Sequence, residues 1–226
     1  MHPAELPAEI VERLRRRRGK LHLFDALEGR RTALAVIDMQ RSFVAADAPS
    51  AVAGAREIVP NVNRLAAALR AAGGTVAWVQ ATYTRSGPGY WPLFFDYMVS
   101  RELSAGILEG LTEGSPGHAL WHELDVQPAD LRVRKNRYSA FFPGACPLPE
   151  LLRSRSIDTV LIAGTMTNVC CEASARDAMM DGFKTVVVSD ANAARSDAEH
   201  TASLATILQF FGDVRSTADV MELLRK

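Results

Sequence analysis

The sequence predicts an α/β fold of three layers, in which helices cover both faces of a mostly parallel, six-stranded sheet. Three observations carry this expectation. Short, nearly continuous apolar runs recur along the chain (TALAVI from Thr32, TVAWVQ, TVLIA, TVVVS), segments with apolar residues at helical spacing separate them, and the two kinds alternate without interruption. Strands buried on both faces read as unbroken hydrophobic runs, and strands joined through helices pair in parallel.

In chain order, residues 7–18 (PAEIVERLRRRR) read as a short charged helix in an N-terminal extension, residues 1–30, that precedes a domain spanning 31–226. Arg15 to Arg18 are expected to be a solvated face. The first strand runs from Thr32 and ends in Asp38. Residues 59–72 form a helix that stops at Gly73-Gly74, and residues 75–80 a second strand. The stretch 82–127, rich in Gly, Pro and aromatics, is expected to supply loops and short helices over a pocket. A third strand follows at 131–134, a helix at 149–155, a fourth strand at 159–163, a helix at 170–180, a fifth strand at 185–189, a helix at 198–211, a sixth strand at 214–216 and a last helix at 218–224.

Bulk composition narrows the function classes. The 26 basic and 26 acidic residues balance in a chain of 226, which gives no broad attraction to nucleic acid or anionic lipid, so the expected partner is a small molecule. The sequence holds no apolar run near the roughly 20 residues that span a bilayer. Its N-terminus, with Glu5, Glu9 and Glu12 ahead of the arginines, is unlike a secretory signal. Cys146 stands alone and Cys170 adjoins Cys171, which is neither a disulfide framework nor a metal-ligand spacing. A cytoplasmic protein with reduced thiols is expected.

In parallel α/β sheets chemistry sits where strands end at their carboxyl edge. Asp38 closes the first strand, Lys135 follows the third, and GTMTNVCC (164–171) joins the fourth strand to a helix. Taken singly each has a bland reading: a capping acid, a solvated lysine, a packed thiol. Together they suggest a thiol nucleophile. Cys170 is placed at a helix N-terminus, where backbone N–H groups favour a thiolate, while a one-residue step of about 100° turns Cys171 toward packing. Asp38 would accept the thiol proton, a Lys135 ammonium would hold both groups, and turn N–H groups would meet the oxyanion. Such chemistry needs no cofactor. His118 and His122, four apart, lack a third ligand candidate and are weak as a metal pair. Phe43, Trp91, Tyr138 and Phe141 are candidate pocket walls, a role that core packing explains equally well, and Asn168 is a candidate to orient substrate or support the turn.

The segments AVIDMQRSFV around Asp38, RKNRYSAFF around Lys135, GTMTNVCCEASARDAM around Cys170 and the following VVVSDANAA resemble the isochorismatase-like cysteine hydrolases, a superfamily that includes nicotinamidase, N-carbamoylsarcosine amidase and ureidoacrylate amidohydrolase. The similarity runs over residues 33–224. It implies a Rossmann-like sheet, an Asp38–Lys135–Cys170 triad, a cis peptide at Thr165–Met166 with an oxyanion hole of the Met166 and Cys170 N–H groups, and a homodimer or homotetramer. Arg41 and Ser42 stand where many relatives have Asn and Asp. VQATYTR lacks the Asp-x-His pattern of nicotinamidases, which disfavours that activity. TNVC followed by Cys171 and Glu172 most resembles the amidohydrolase branch, so cleavage of a small amide, ureido or carbamoyl compound is expected. Alternatives are isochorismatase-type vinyl ether hydrolysis, which needs no cysteine, a noncatalytic binding protein on the same fold, and a redox role for Cys170.

Overall fold

Strands β1 (Thr32–Ile37), β2 (Thr75–Ala81), β3 (Leu131–Lys135), β4 (Thr159–Thr165), β5 (Lys184–Ala193) and β6 (Asp213–Arg215) form one sheet in the computed structural model, which describes residues 2 and 6–225. Their order is β3-β2-β1-β4-β5-β6 and every neighbouring pair is parallel, so the expected "mostly parallel" sheet is wholly so among the described residues. Residues 1, 3–5 and 226, the outermost parts of the two expected segments, lie outside the described residues.

Two-residue alternation sorts the core. On β1, Leu34 and Val36 join one face of the sheet, and Ala33, Ala35 and Ile37 the other. The first face packs against α3 (Val59–Ala71) through Val62, Leu65 and Leu69, and against α8 (Thr217–Leu223) through Val220 and Leu223. The second packs against α5 (Leu148–Arg153), α6 (Glu172–Met180) and α7 (Asp197–Phe210) through Leu152, Ala175, Leu204 and Ile207. Truncating a fully buried leucine such as Leu65 to alanine would cost about 2–5 kcal/mol.

Sequence signals explain most boundaries. Helix α3 starts with a proline in its first turn and ends where Gly73, at φ 78°, bonds back to Arg70 while Gly74 bonds to Leu69. The N-terminal helix α1 (Ala8–Arg18) docks on α7: Leu14 is buried in the second face of the core, and Arg18 donates to the Leu208 and Gln209 carbonyls. A cation there meets the negative end of the α7 dipole. Arg15, Arg16 and Arg17 remain exposed.

Three features differ from expectation. The stretch 82–127 contains an 11-residue helix, α4 (Arg101–Leu111), capped by Ser100, whose side chain accepts from Leu103 N–H. Strand β5 runs past Ser189 to Ala193, because a register shift between Ile162 and Gly164 lets Asn192 and Ala193 pair with Gly164 and Thr165. The helix expected from Cys170 begins at Glu172, and a π-helical turn, Thr167–Cys171, precedes it.

Strand order reverses at β1 and β4, which lie side by side but feed helices on opposite faces. The crevice outside their carboxyl ends is where such sheets bind ligands. Residues following β1, β3 and β4 meet there.

Candidate active site

Asp38 leaves β1 with φ 53°, a left-handed conformation that asparagine and aspartate tolerate better than other side chains and that costs on the order of 1 kcal/mol. Its carboxylate is fully buried. Oδ1 accepts from Ala81 N–H at 3.0 Å, and Oδ2 lies 2.8 Å from Lys135 Nζ in an ion pair without accepting a well-directed hydrogen bond. Lys135, the last residue of β3, is also buried; its ammonium donates to the Arg137 carbonyl at 3.2 Å and to Cys170 Sγ at 3.4 Å. Three ammonium protons thus face three partners. Close approach of β1 and β4 requires Gly164, at φ 119°, since a Cβ there would lie 2.1 Å from the Ile37 carbonyl oxygen.

The turn that carries Cys170 starts with a cis peptide at Thr165–Met166, where the resemblance places one. Through the π turn the Cys171 N–H bonds to the Met166 carbonyl at 3.1 Å. Such single π turns recur at functional sites. Helix α7 braces the turn: His200 Nδ1 and Thr167 Oγ1 are 2.9 Å apart, and Ser203 Oγ donates to the Thr167 carbonyl at 3.1 Å. Cys170 faces a cavity, whereas Cys171 is fully buried in the core beside α6.

Electrostatics corrects one expectation. Burial alone would discharge Lys135, but the Asp38 carboxylate and Cys170 beside it hold its pKa above the ordinary lysine value. Burial pushes the Cys170 thiol up to about 12; the Lys135 charge opposes this, and the Asp38 carboxylate adds to it. The turn's N-terminal position therefore does not leave a resting thiolate. At neutral pH the site holds a thiol beside the Lys135–Asp38 ion pair.

The cavity above these groups measures about 360 Å³. Phe43, Tyr138 and Asn168 line it, together with Asp38, Met166 and Cys170. Trp91 does not: it stands behind the wall, with ring centroids 4.8 Å from Tyr138 and 5.3 Å from Phe94. Phe141 does not either. The chain after β3 turns inward, with Ala140 N–H bonded to Ser174 Oγ, and this drives Phe141 into the core edge-on to Phe183. Three residues that line the cavity each carry a buried polar atom without a hydrogen-bond partner among the described residues: Asp38 Oδ2, which is ion-paired with Lys135, Thr165 Oγ1 and Asn168 Oδ1.

The sequence did not single out Tyr83, Arg195 or the face of α4, all of which line the cavity. Only the helical spacing of Leu103, Ile107 and Leu111 carried a signal. His118 and His122 do not converge: His118 Nε2 is 2.7 Å from Thr82 Oγ1, and the His122 side chain is exposed beside Glu123. Among the described residues no three His, Cys, Asp or Glu side chains are grouped to hold a metal ion, and no helix is long and apolar enough to cross a membrane. Of the two departures after Gln40, Arg41 pairs with Asp47 at the surface and Ser42 Oγ donates to the Gly110 carbonyl, fastening α2 (Arg41–Val44) to the end of α4.

An isochorismatase domain model matches residues 32–219. The chain is 33% identical over 197 residues to maleamate amidohydrolase of Pseudomonas putida, covering 87% of this chain and 88% of that protein. It is 34% identical over 201 residues to the ureidoacrylate amidohydrolase RutB of Pseudomonas savastanoi pv. phaseolicola, with 83% and 81% covered. Among solved structures, a cysteine hydrolase from Pseudomonas syringae pv. phaseolicola superposes with a TM-score of 0.81 at 30% identity, over 90% of this chain and 97% of that one. The matched family domain contains the strand ends, the turn that carries Cys170 and the helices that brace it, and on these grounds the chain belongs to the isochorismatase family.

Proposed function

We propose that this chain is a cysteine-dependent hydrolase that cleaves the C–N bond of a small amide, ureido or carbamoyl substrate through a thioester. The observation that carries the reading is the meeting of the Asp38 carboxylate, the Lys135 ammonium and the Cys170 sulfur at one cavity, which Asp38 and Cys170 line. The relatives named maleamate amidohydrolase and ureidoacrylate amidohydrolase, each similar over most of its length, support amide hydrolysis.

The steps follow from the protonation states. Cys170 gives its proton to Asp38 as Sγ bonds to the substrate carbonyl carbon, and the carbonyl oxygen becomes an oxyanion. Backbone N–H groups of Met166 and Cys170 are the proposed donors to it, each worth about 10²–10³ in rate if aimed at the oxyanion. Asp38 then passes the proton to the departing nitrogen as the C–N bond breaks. Water attacks the thioester, giving a proton to Asp38 that returns to sulfur when the C–S bond breaks. Lys135 stays charged throughout, holding the carboxylate in place and offsetting negative charge on sulfur. Asn168, which lines the cavity, is the proposed residue to orient the substrate or support the turn. Vinyl ether hydrolysis would use Asp38 as an acid and leave the thiol idle.

A panel of primary amides, ureido acids and carbamoyl compounds, assayed for ammonia release and by intact-protein mass, tests this. Wild type should release ammonia and carry an acyl mass on Cys170, and Cys170→Ala should do neither. Undiminished turnover in Cys170→Ala would remove the nucleophile from the mechanism.

A further inference from the structure

Resting on the reading that an amide is attacked at Cys170, we propose that the acyl group of the substrate carries an elongated apolar body, alkyl or aryl, bound along helix α4. Its wall is graded. Leu103, Ile107 and Leu111 fall at i, i+4 and i+8, all three line the cavity, and exposure declines along them from 40% at Leu103 to 2% at Leu111. The stripe therefore runs from the mouth to the interior, where Tyr83 N–H bonds to the Leu111 carbonyl at 3.1 Å. Phe43, Phe94, Met98 and Val99 are among the other apolar residues of the lining.

Polar groups lie at the two ends. Asp38, Thr165, Asn168 and Cys170 form the floor, and the exposed Arg195 and Glu199 the rim. Ser50, Tyr83 and Tyr138 also line the cavity, but the α4 stripe itself offers no hydrogen-bond partner, so a polar or charged body lying along it would lose water on that side without compensation. A hydrocarbon would gain from the same contacts. Eight residues of helix span about 12 Å, and a cavity of about 360 Å³ holds roughly a dozen water-sized groups at ~30 Å³ each. After the amide itself is seated, that leaves space for roughly six to ten carbons.

A series of straight-chain primary amides from acetamide to decanamide, with phenyl-terminated amides and the polar succinamate as comparators, tests the proposal on the wild-type enzyme. The expected result is kcat/KM rising about fourfold per added methylene, chiefly through KM, up to roughly eight carbons and levelling beyond. Ile107→Trp, which fills the middle of the stripe, should move the optimum to shorter chains. Binding of octanamide to Cys170→Ala, followed by calorimetry, separates this inference from the chemistry. Turnover of short polar amides with no octanamide binding and no length dependence would overturn the apolar site while keeping the hydrolase. Octanamide binding without turnover of any amide by wild type would do the reverse. Neither binding nor turnover would overturn both.

Discussion

Two buried aspartates at different places on the same sheet show how a carboxylate beside a cavity differs from one that only fastens the fold. Asp213, in β6, is fully buried and saturated: its two oxygens accept from Leu23, Phe24 and Val214 N–H groups and meet His22 Nδ1 at 2.9 Å and Arg215 Nε at 3.1 Å. Its work is to fasten the segment before β1 to the sheet edge. Asp38 is equally buried, yet it has one N–H donor and one ion pair, sits in a left-handed backbone conformation and faces a cavity. Burial alone says little about function. Hydrogen-bonding capacity left unfilled in a residue beside a cavity says more.

Substitution of both aspartates would break this comparison most directly. Asp38→Asn should lower kcat by at least ~10³, because an amide cannot take the thiol proton. Its stability cost should be the smaller of the two: asparagine adopts the left-handed conformation, can keep an acceptor toward Ala81, and lets burial discharge Lys135 instead of stranding a charge. Asp213→Asn should cost about 3 kcal/mol in denaturant unfolding, since Arg215 loses its buried partner, while turnover per folded molecule stays within about twofold. The contrast fails if Asp213→Asn abolishes turnover at full stability, or if Asp38→Asn merely unfolds.

The two aspartates were not equally legible in the sequence. Asp38 ends a long apolar run, and an acid at that position announces a strand end, whereas Asp213 lies in a three-residue strand whose apolar content is Val214 alone. Strand positions, parallel pairing and the three chemical groups were readable for the same reason: runs buried on both faces show directly in the residue types. What the types do not carry is which way a side chain turns once a loop has docked. Phe141 and Phe94 look alike in sequence, but one packs beneath α5 and α6 while the other faces the cavity. The thiol's raised pKa was hidden likewise. A helix N-terminus can be read from local signals, but the burial that outweighs it, and the Asp38 charge that adds to it, depend on how distant parts of the chain come together.

A smaller test concerns the base of the turn that carries Cys170. His200 is fully buried against Thr167, its Nε2 has no partner among the described residues, and burial pushes its pKa down to about 4, with the stacked His2 ring acting in the same direction. The folded protein resists protonation that the unfolded chain accepts from about pH 6.5 downward. Stability is therefore complete above that pH and falls on acidification through the window to about 4, by on the order of 2–3 kcal/mol. Guanidinium unfolding at pH 7, 6, 5 and 4.5 should show the decline, and His200→Gln should flatten it. Parallel pH profiles for the two proteins would assign the loss to other groups.

The smallest expected effect separates the adjacent thiols and sharpens the link between unfilled capacity and chemistry. Cys171 is fully buried and packed among apolar side chains beside α6, and burial raises its pKa well above the ordinary thiol value. It shares with Cys170 the neighbourhood of Lys135 and Asp38 but lines no part of the cavity. Cys171→Ala should cost about 1 kcal/mol for the small void and leave kcat within about twofold. Iodoacetamide should label Cys170 in that variant as fast as in wild type, because access rather than proximity to charge decides which sulfur can react. If Cys171→Ala instead lost turnover in proportion to Cys170→Ala while remaining folded, the assignment of nucleophile by cavity exposure would be wrong.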